Sequence, residues 1–543
     1  MKKSKKILRI VSPLILFICT VFLAIYYSHT GYSNTEATIL GKMIKDMTRN
    51  YRMYQIVATT ILYFVGYVVV FPLCKQMGRG YAYVLAMPTG NALWGTISAL
   101  LLFLNIPYNK YTMSTVVCIC VGAMVYLYRE EYRHLKWINI LGVLSVVVSI
   151  SILAASGFFA IFTSSDSYYF VMQYGELIAK AGRLSSDIVG TYMTWTGIMP
   201  ALSSAFATMW GFENIYAIHY LLIYSMCGFI VLTIYNQTTK YYSRGIAGCI
   251  AVITAITVII IPGISYLSFW IIGNSYFMVY ILLVVLLPYI VQNENPGTEV
   301  FFLISLYILW LTLCRAETAV TMSFFVICIS ALGLTKRQMA FIYLPMCVFQ
   351  TLFFFTIFYQ TQIGKKQADS KLLTTMTMII IILALLVVAA YILLYDLPPV
   401  RFVRQHMDIF GITILAVTGL GIGVLEWEKF KNNIEVVLSN IGDWYWNYVP
   451  IAILCIEIVK TYLKCRDRYF DIIVWGFVLL NFVICMGRPQ YLRLGIGDSY
   501  NRICMSILPV YLVSSAYTFI EYFGAYRKRV IDEKERNYEK SIF

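Results

Sequence analysis

The runs ILGVLSVVVSISILAASGFFAIF (residues 140–162) and TMIIIILALLVVAAYILL (residues 377–394) decide the fold class. Both reach the ~18 apolar residues that a bilayer-spanning helix needs, and neither alternates apolar with polar residues as a membrane β-strand does. Similar runs recur along the 543-residue chain, which is 60% hydrophobic and only 13% charged. Soluble domains average about 45–50% apolar and about 25% charged residues. The sequence therefore predicts an all-α polytopic membrane protein.

The basic residues predict the topology of the spans. The apolar runs add up to about sixteen transmembrane helices, the first over residues 7–27 and the last over residues 502–523. More than half of the 42 lysines and arginines fall in connectors that are internal if the N-terminus is internal, as the positive-inside rule requires. We therefore predict a multi-pass protein of the cell (plasma) membrane with cytoplasmic N- and C-termini. The net charge of +15 then implies no nucleic-acid partner.

This layout divides the chain into three regions. Residues 1–136 contain four N-terminal transmembrane helices, residues 137–523 contain the remaining spans, and residues 524–543 form a basic cytoplasmic tail. The longest predicted outer loop covers residues 162–213. No separate soluble domain is predicted.

The long outer loop contains two apolar segments. Residues 166–182 carry apolar side chains at helical spacing with a polar opposite face, which is typical of an interfacial helix, and GRLSSD ends this segment. The segment 199–214 is apolar enough to span the membrane, but a span here would reverse every later loop against the charge rule. We predict that it is a second helix lying along the outer surface.

Asp166 is the first charged residue after the fifth span, and Tyr168 and Tyr169 follow it. A carboxylate at the boundary between membrane and water can act as a general base toward a lipid-linked substrate, with the tyrosines as substrate contacts. The structural alternative is a helix N-cap beside an aromatic belt, since Ser164, Ser165 and Asp166 are all good capping residues. Spacing alone favours the structural alternative.

Arginines in the last predicted outer loop need an explanation, because they oppose the topology rule. Arg488, Arg493 and Arg502 lie in or beside this loop. Arginine binds phosphate through two parallel hydrogen bonds, so a lipid phosphate is one candidate ligand. Attraction to anionic headgroups is the other candidate, and Asp498 could pair with one of the arginines.

Arg315 lies in the turn WLTLCRAETAV (residues 310–320), between two apolar runs. It is a candidate sugar or phosphate contact, because ionisable groups at membrane depth are often functional. A local ion pair with Glu317 is the alternative, and the sequence favours it.

No cofactor is predicted from the sequence. The thirteen cysteines lie in or at the ends of apolar runs without a CxxC pair, and the four histidines have no metal-ligand spacing. We therefore assign no metal-binding residue, and a requirement for a divalent metal stays open. A glycine-rich nucleotide-binding turn is also absent from the sequence.

The order of features after residue 137 resembles that of the GT-C superfamily of polytopic membrane glycosyltransferases, the class of protein mannosyltransferases and aminoarabinose transferases. The shared order is a span, an acid just outside it, an interfacial helix, a glycine-containing turn and a second helix, here MPALSSAFATMWGFEN (residues 199–214). The sequence NRICMSILPVYL (residues 501–512) is similar to the entry of the last span in that family.

The resemblance implies a GT-C-like fold over residues 137–523 and a catalytic role for Asp166. Asp166 would deprotonate or orient an acceptor that attacks the anomeric carbon of a sugar. Many members carry two adjacent acids, whereas Ser167 follows Asp166 here. Either Asp187 supplies the second carboxylate or the chain has none. The implied reaction is transfer of a sugar from a polyprenyl-phosphate donor to a cell-envelope acceptor, for example a polysaccharide, at the outer face of a bacterial membrane.

Two other classes stay open. A transporter or flippase would place ionisable residues within spans, and Glu457 and Lys460 are the clearest candidates. A polysaccharide polymerase or ligase also uses lipid-linked substrates and relies on arginines, but such proteins usually have their large outer loop late in the chain.

Overall fold

A computed structural model shows the protein as a bundle of helices. It describes residues 50–75, 77–156, 168–184, 188, 197–211, 216–268, 270, 272–292, 298–315, 318–363, 368–487, 491–495 and 498–542. Within these ranges the regular secondary structure is helical, without a β-strand. The all-α class predicted from the sequence is therefore confirmed.

The helices before residue 240 are α1 (Asn50–Leu73), α2 (Tyr81–Phe103), α3 (Lys110–Leu127), α4 (Arg129–Tyr132), α5 (Trp137–Ser156), a π-helical segment (Tyr168–Gln173), α6 (Tyr174–Ala181), α7 (Met199–Met209) and α8 (Tyr216–Thr238). The later helices are α9 (Arg244–Ile260), α10 (Pro262–Ser268), α11 (Gly273–Val291), α12 (Thr298–Thr312), α13 (Thr318–Ile329), α14 (Lys336–Ile363), α15 (Ala368–Leu393), α16 (Pro398–Gln405), α17 (Met407–Leu425), α18 (Trp427–Ser439), α19 (Val449–Tyr462), α20 (Arg468–Met486) and α21 (Ser499–Ile542).

Length and composition make this a multi-pass membrane protein. Eight of the described helices are long and apolar enough to cross a bilayer, and the number is ten if each of two bent helix pairs counts as one span. One of these pairs is α9 with α10, which meet at a bend of 83°. Shorter apolar helices, such as the one over Val300–Thr312, accompany them. The total of about sixteen spans stays a prediction.

Contacts between helices define two ends of the bundle. At one end, which we call the arginine end, Ser506 in α21 donates from its Oγ to the backbone carbonyl of Asn274 in α11 (3.4 Å). At the other, which we call the tail end, the hydroxyl of Tyr469 in α20 donates to the carbonyl of Val285 in α11 (2.8 Å). Helix α11 therefore runs from the arginine end to the tail end, and so does α21, whose last part is the segment predicted as the basic tail.

Burial separates central helices from peripheral ones. In α11, 89% of an apolar stretch of 18 residues is buried within the protein, whereas the corresponding share in α17 is 11%. A helix that is apolar on every side is stable either in the centre of a bundle or against lipid. Helix α11 occupies the first position, and α17 exposes Ile414, Val417 and Leu420 in the second.

Polar groups in the centre of the bundle hold three helices together. The Asn91 side chain in α2 donates to the hydroxyl of Tyr280 in α11 (3.0 Å), and this hydroxyl donates to the carbonyl of Pro88 (2.9 Å). Ser203 in α7 donates to the side-chain oxygen of Asn91 (2.9 Å). Buried polar groups are costly unless they are paired, so this network fixes the position of α7 against α2 and α11.

The position of α7 differs from the sequence-based prediction. Residues 199–209 are helical as predicted, but Met199–Ala207 are buried rather than exposed along a surface. The first part of the predicted interfacial pair agrees better with the structure. Residues 168–181 are helical, and the helix ends at Gly182, which adopts φ +65°. Helix α7 is buried because α6 covers it, with Gly175 packed against the backbone of Ala201 and Ala205.

Two glycines allow α1 and α2 to cross at very short range. A Cβ atom on Gly66 would lie 1.8 Å from the carbonyl oxygen of Ala86, and one on Gly90 would lie 2.2 Å from the carbonyl oxygen of Leu62. Small residues at such crossings let membrane helices approach each other closely. No side chain can be accommodated at either position unless the helices move apart.

The substitution Gly66→Ala is expected to lower the midpoint of thermal unfolding in detergent by several degrees, because overpacking costs about 1–3 kcal/mol. Gly248→Ala is the matched control, since its added Cβ has no neighbour within 4 Å and alanine is favoured over glycine in a helix. Equal midpoints for the two variants would contradict the close crossing.

Candidate functional site

Asn274 at the arginine end joins two distant chain segments, each of which carries an arginine. Arg315, just after α12, donates from its Nη1 to the side-chain oxygen of Asn274 (2.8 Å). The backbone carbonyl of Asn274 accepts from Ser506, which lies one helical turn after Arg502 in α21. Asn274 is itself fully buried at the start of α11. It therefore links the turn that carries Arg315 to the helix that carries Arg502.

Arg502 lies against an aromatic group. Its guanidinium carbon is 5.2 Å from the ring centroid of Trp270, and the arginine is only 8% exposed. Tyr266 packs on the edge of Trp270 (5.3 Å between centroids) and also on Trp444 (5.5 Å). Because an aromatic face attracts a guanidinium group, these rings help to orient Arg502. Trp444 remains 55% exposed at the rim of this aromatic group.

The loop before α21 is built on a polar stripe of α18. Lys429 in α18 donates to the last-turn carbonyl of Met486 in α20 (2.7 Å), and Asn433 accepts from the backbone N–H of Leu492 (2.9 Å). Asn440, just after α18, accepts from the N–H of Gly495 (3.0 Å). The polar residues of α18 therefore face the protein and shape this loop.

Asp498 starts the helix that carries Arg502. Its side chain accepts from the backbone N–H of Tyr500 (2.8 Å), which is the contact of a helix N-cap. The same carboxylate accepts from the N–H of Arg493 (3.2 Å) and lies 3.9 Å from Arg493 Nε. The pairing of Asp498 with one of the arginines is therefore realised with Arg493, whose side chain is 77% exposed.

Helix α7 begins directly beside Arg315. The N–H groups of Ile198 and Met199 both donate to the carbonyl of Leu313 (2.9 and 3.2 Å). Gly197 adopts φ +68°, and a Cβ there would lie 2.4 Å from the carbonyl carbon of Cys314. These contacts fix the start of the second apolar segment of the predicted outer loop to the turn that carries Arg315.

Several buried polar atoms near this end have no hydrogen-bond partner within the described part of the chain. They are His219 Nδ1, Ser268 Oγ, Asn274 Nδ2, Tyr276 Oη and Trp310 Nε1. The residues are neighbours. His219 Nε2 donates to the carbonyl of Ser268, the rings of His219 and Tyr276 are 6.0 Å apart, and those of Tyr276 and Trp310 are 5.5 Å apart.

We call these five residues the neutral polar cluster. An unpaired buried polar group costs about 1–3 kcal/mol, so a concentration of them needs a compensating ligand or water. Because Nε2 of His219 carries the proton donated to Ser268, its Nδ1 is an acceptor, while the Asn274 amide and Trp310 indole supply donors. This combination suits the hydroxyl groups of a neutral polar molecule, and the adjacent arginines suit an anion.

The structure brings together only part of the site predicted from the sequence. Arg315 and Arg502 share one region, and Arg493 lies in the neighbouring loop with its side chain exposed. Tyr168 and Tyr169 begin the π-helical segment, an uncommon conformation that often occurs at functional sites. The predicted site residues Asp166, Asp187 and Arg488 lie outside the described residues, as does Glu317.

The neutral polar cluster was not predicted from the sequence. His219 lies within the candidate span Ile218–Thr238, and an ionisable residue within a span is a functional candidate by default. Asn274 and Tyr276 belong to IIGNSYF (residues 271–277), within which helix α11 begins at Gly273.

Metal binding has no support among the described residues, where no group of three or more His, Cys, Asp or Glu side chains could hold an ion.

Tyr445 lies outside the predicted spans, and its burial raises its pKa above the usual range. Tyr445 therefore stays protonated and donates to Asn440 (2.7 Å), which supports the loop before α21.

Comparison with known proteins adds no relative. No protein-family model, no curated protein and no solved structure matches the chain. The arginine end must therefore be interpreted from its own chemistry.

Two tyrosines of α11 test whether the neutral polar cluster is unpaired. Tyr276→Phe removes a hydroxyl without a described partner and should leave the thermal unfolding midpoint unchanged or raise it. Tyr280→Phe removes a hydroxyl that has two partners, and should lower the midpoint, with a cost of about 1–3 kcal/mol. An equal loss in both variants would show that Tyr276 is satisfied within the protein.

Proposed function

We propose that this protein is a membrane glycosyltransferase that moves a sugar from a polyprenyl-phosphate donor to a cell-envelope acceptor. The observation that carries the proposal is that Asn274, a member of the neutral polar cluster, binds Arg315 directly and binds through Ser506 the helix that carries Arg502. Two guanidinium groups suit a phosphate, and the cluster suits sugar hydroxyls. A donor of this kind presents both chemical groups side by side at the surface of a bilayer.

In the proposed reaction an acceptor oxygen attacks the anomeric carbon, and the bond between this carbon and the phosphate oxygen breaks. The acceptor proton passes to the carboxylate of Asp166, and the leaving group is the polyprenyl phosphate. Arg315 and Arg502 stabilise the negative charge that develops on this phosphate as the bond breaks. The assignment of Asp166 as base rests on its position in the sequence and on the resemblance to GT-C enzymes.

We further propose that the arginine end faces the outside of a plasma membrane and that both termini are cytoplasmic. This orientation follows the basic connectors of the sequence. At the tail end, helix α21 continues into the basic segment that begins near Arg527. About sixteen spans and a GT-C-like fold belong to the same proposal.

A polysaccharide polymerase or ligase is the second candidate. The specific observation in its favour is that the predicted site residues on the two segments that Asn274 joins are arginines, on which such proteins rely. The transporter alternative receives less support. Glu457 and Lys460 pair with each other (2.8 Å), and Glu457 also accepts from Tyr511 (3.0 Å), so these charges join helices α19 and α21.

A transfer assay tests the role of Asp166. Membranes containing the wild-type protein should transfer label from at least one member of a panel of radiolabelled polyprenyl-phosphate sugars. Asp166→Asn should abolish transfer at normal expression, because it removes the proton acceptor. Equal transfer by both proteins would show that Asp166 is a helix cap. If the wild-type protein transferred label from none of the donors in the panel, this result would count against the transferase class.

The same assay separates the arginines. Arg502→Gln should reduce transfer by about 10²-fold or more, a loss typical for removal of one charge-stabilising donor. Arg493→Gln is the matched control from the neighbouring loop, since the Arg493 side chain is 77% exposed. This substitution should change the transfer rate by less than about threefold, as expected for a weak surface contact. A larger effect of Arg493→Gln would move the phosphate site into the loop.

A further inference from the structure

An apolar cleft lies between α1, α2 and α3, with α7 closing one side. It contains about 530 Å³ of space including its mouth. Leu62, Leu93, Trp94, Val117 and Phe206 are among its lining residues. Because this figure includes the open mouth, the cleft can take up part of one hydrocarbon chain while the rest of the chain stays in the bilayer.

The mouth of the cleft faces the hydrocarbon region of the bilayer. Ile61 in α1 and Cys118 in α3 line the cleft and are also exposed. Their neighbours Val57 and Ile119 are 51% and 65% exposed. Only 11% of the apolar 18-residue stretch of helix α3 is buried within the protein. In a membrane protein such apolar exposed faces contact lipid, so lipid has direct access to the cleft.

The cleft is not a result of loose packing. Gly90 lines it and is also one of the two glycines at the tight crossing of α1 and α2. Beyond this crossing, Trp94 packs edge-on against Phe206 at 4.8 Å between centroids. Firmly packed elements therefore surround the space. An apolar cavity does not hold water, and an empty one loses dispersion contacts along its whole lining.

We propose that the cleft binds one acyl chain of a bilayer phospholipid. Its apolar lining and lateral mouth fit a hydrocarbon chain, and phospholipids are the main source of such chains in a bilayer. Trp210 also lines the cleft, and its buried indole N–H has no partner in the described parts of the chain. An ester oxygen of the lipid would supply the missing acceptor.

The bound chain supports the far side of α7. Phe206 and Trp210 belong to the last turn of this helix and the residue after it. The first residue, Met199, is bonded to the carbonyl of Leu313 near Arg315. The acyl chain therefore packs behind a helix whose other end contacts the candidate site. This inference does not depend on the proposed glycosyltransferase activity.

Photocrosslinking in nanodiscs tests the proposal. The probe is phosphatidylcholine with a diazirine near the end of one acyl chain, and adducts are located by mass spectrometry. We expect adducts on α1 and α3 residues that line the cleft, such as Leu62 and Val117. Ser114→Phe, which fills the cleft, should reduce these adducts about fivefold or more, as loss of the binding space requires. Thr115→Phe, on an exposed position of the same helix, should not.

The wild-type adduct map keeps the test informative even if Ser114→Phe fails to fold. Adducts confined to outward-facing residues would overturn the proposal, and so would equal cleft labelling in Ser114→Phe and Thr115→Phe. Excess unlabelled polyprenyl phosphate provides the competition arm. Displacement of the cleft adducts by it would assign the cleft to a donor chain and overturn the phospholipid assignment.

Discussion

The arrangement of the arginine end depends on Asn274. Its side-chain oxygen accepts from Arg315 at 2.8 Å and its backbone carbonyl accepts from Ser506 at 3.4 Å. One buried residue therefore sets the position of two separate chain segments, each carrying an arginine. In a protein core, a polar residue is costly unless its hydrogen bonds are made. The Asn274 amide nitrogen has no partner within the described residues, so this cost is not fully offset in the structure.

The contrast between paired and unpaired polar groups explains how one bundle can combine rigidity with a binding site. Asn91, Ser203 and Tyr280 form a closed network that fixes helices α2, α7 and α11. Tyr276 and Asn274 lie on α11 a few residues nearer the arginine end, and both have polar atoms without partners in the described part of the chain. The first set stabilises the fold, and the second set is available to a ligand. Proteins commonly sacrifice stability in this way at functional sites.

Much of the helical architecture could be predicted from the sequence, because long apolar runs specify helices directly. The runs at 140–162 and 377–394 fall largely on α5 and α15, and Gly182 ends α6 where the turn was expected. The burial of α7 could not be predicted, because its apolar composition fits a membrane surface as well as a protein interior. The link through Asn274 between the segments of Arg315 and Arg502 could not be predicted either, since spacing in sequence does not reveal tertiary contacts. His219 was detectable as a lone ionisable residue within a span.

The most direct test of this account is a double-mutant cycle on the binding of polyprenyl phosphate, measured for wild type, Arg315→Gln, Arg502→Gln and the double variant. Hydrogen bonds to charged groups contribute about 1.5–3 kcal/mol, so each single variant should weaken binding by about tenfold or more. Because both arginines are proposed to hold one phosphate, the two losses should not add. Wild-type affinity in either single variant, or strictly additive losses, would contradict a shared phosphate site.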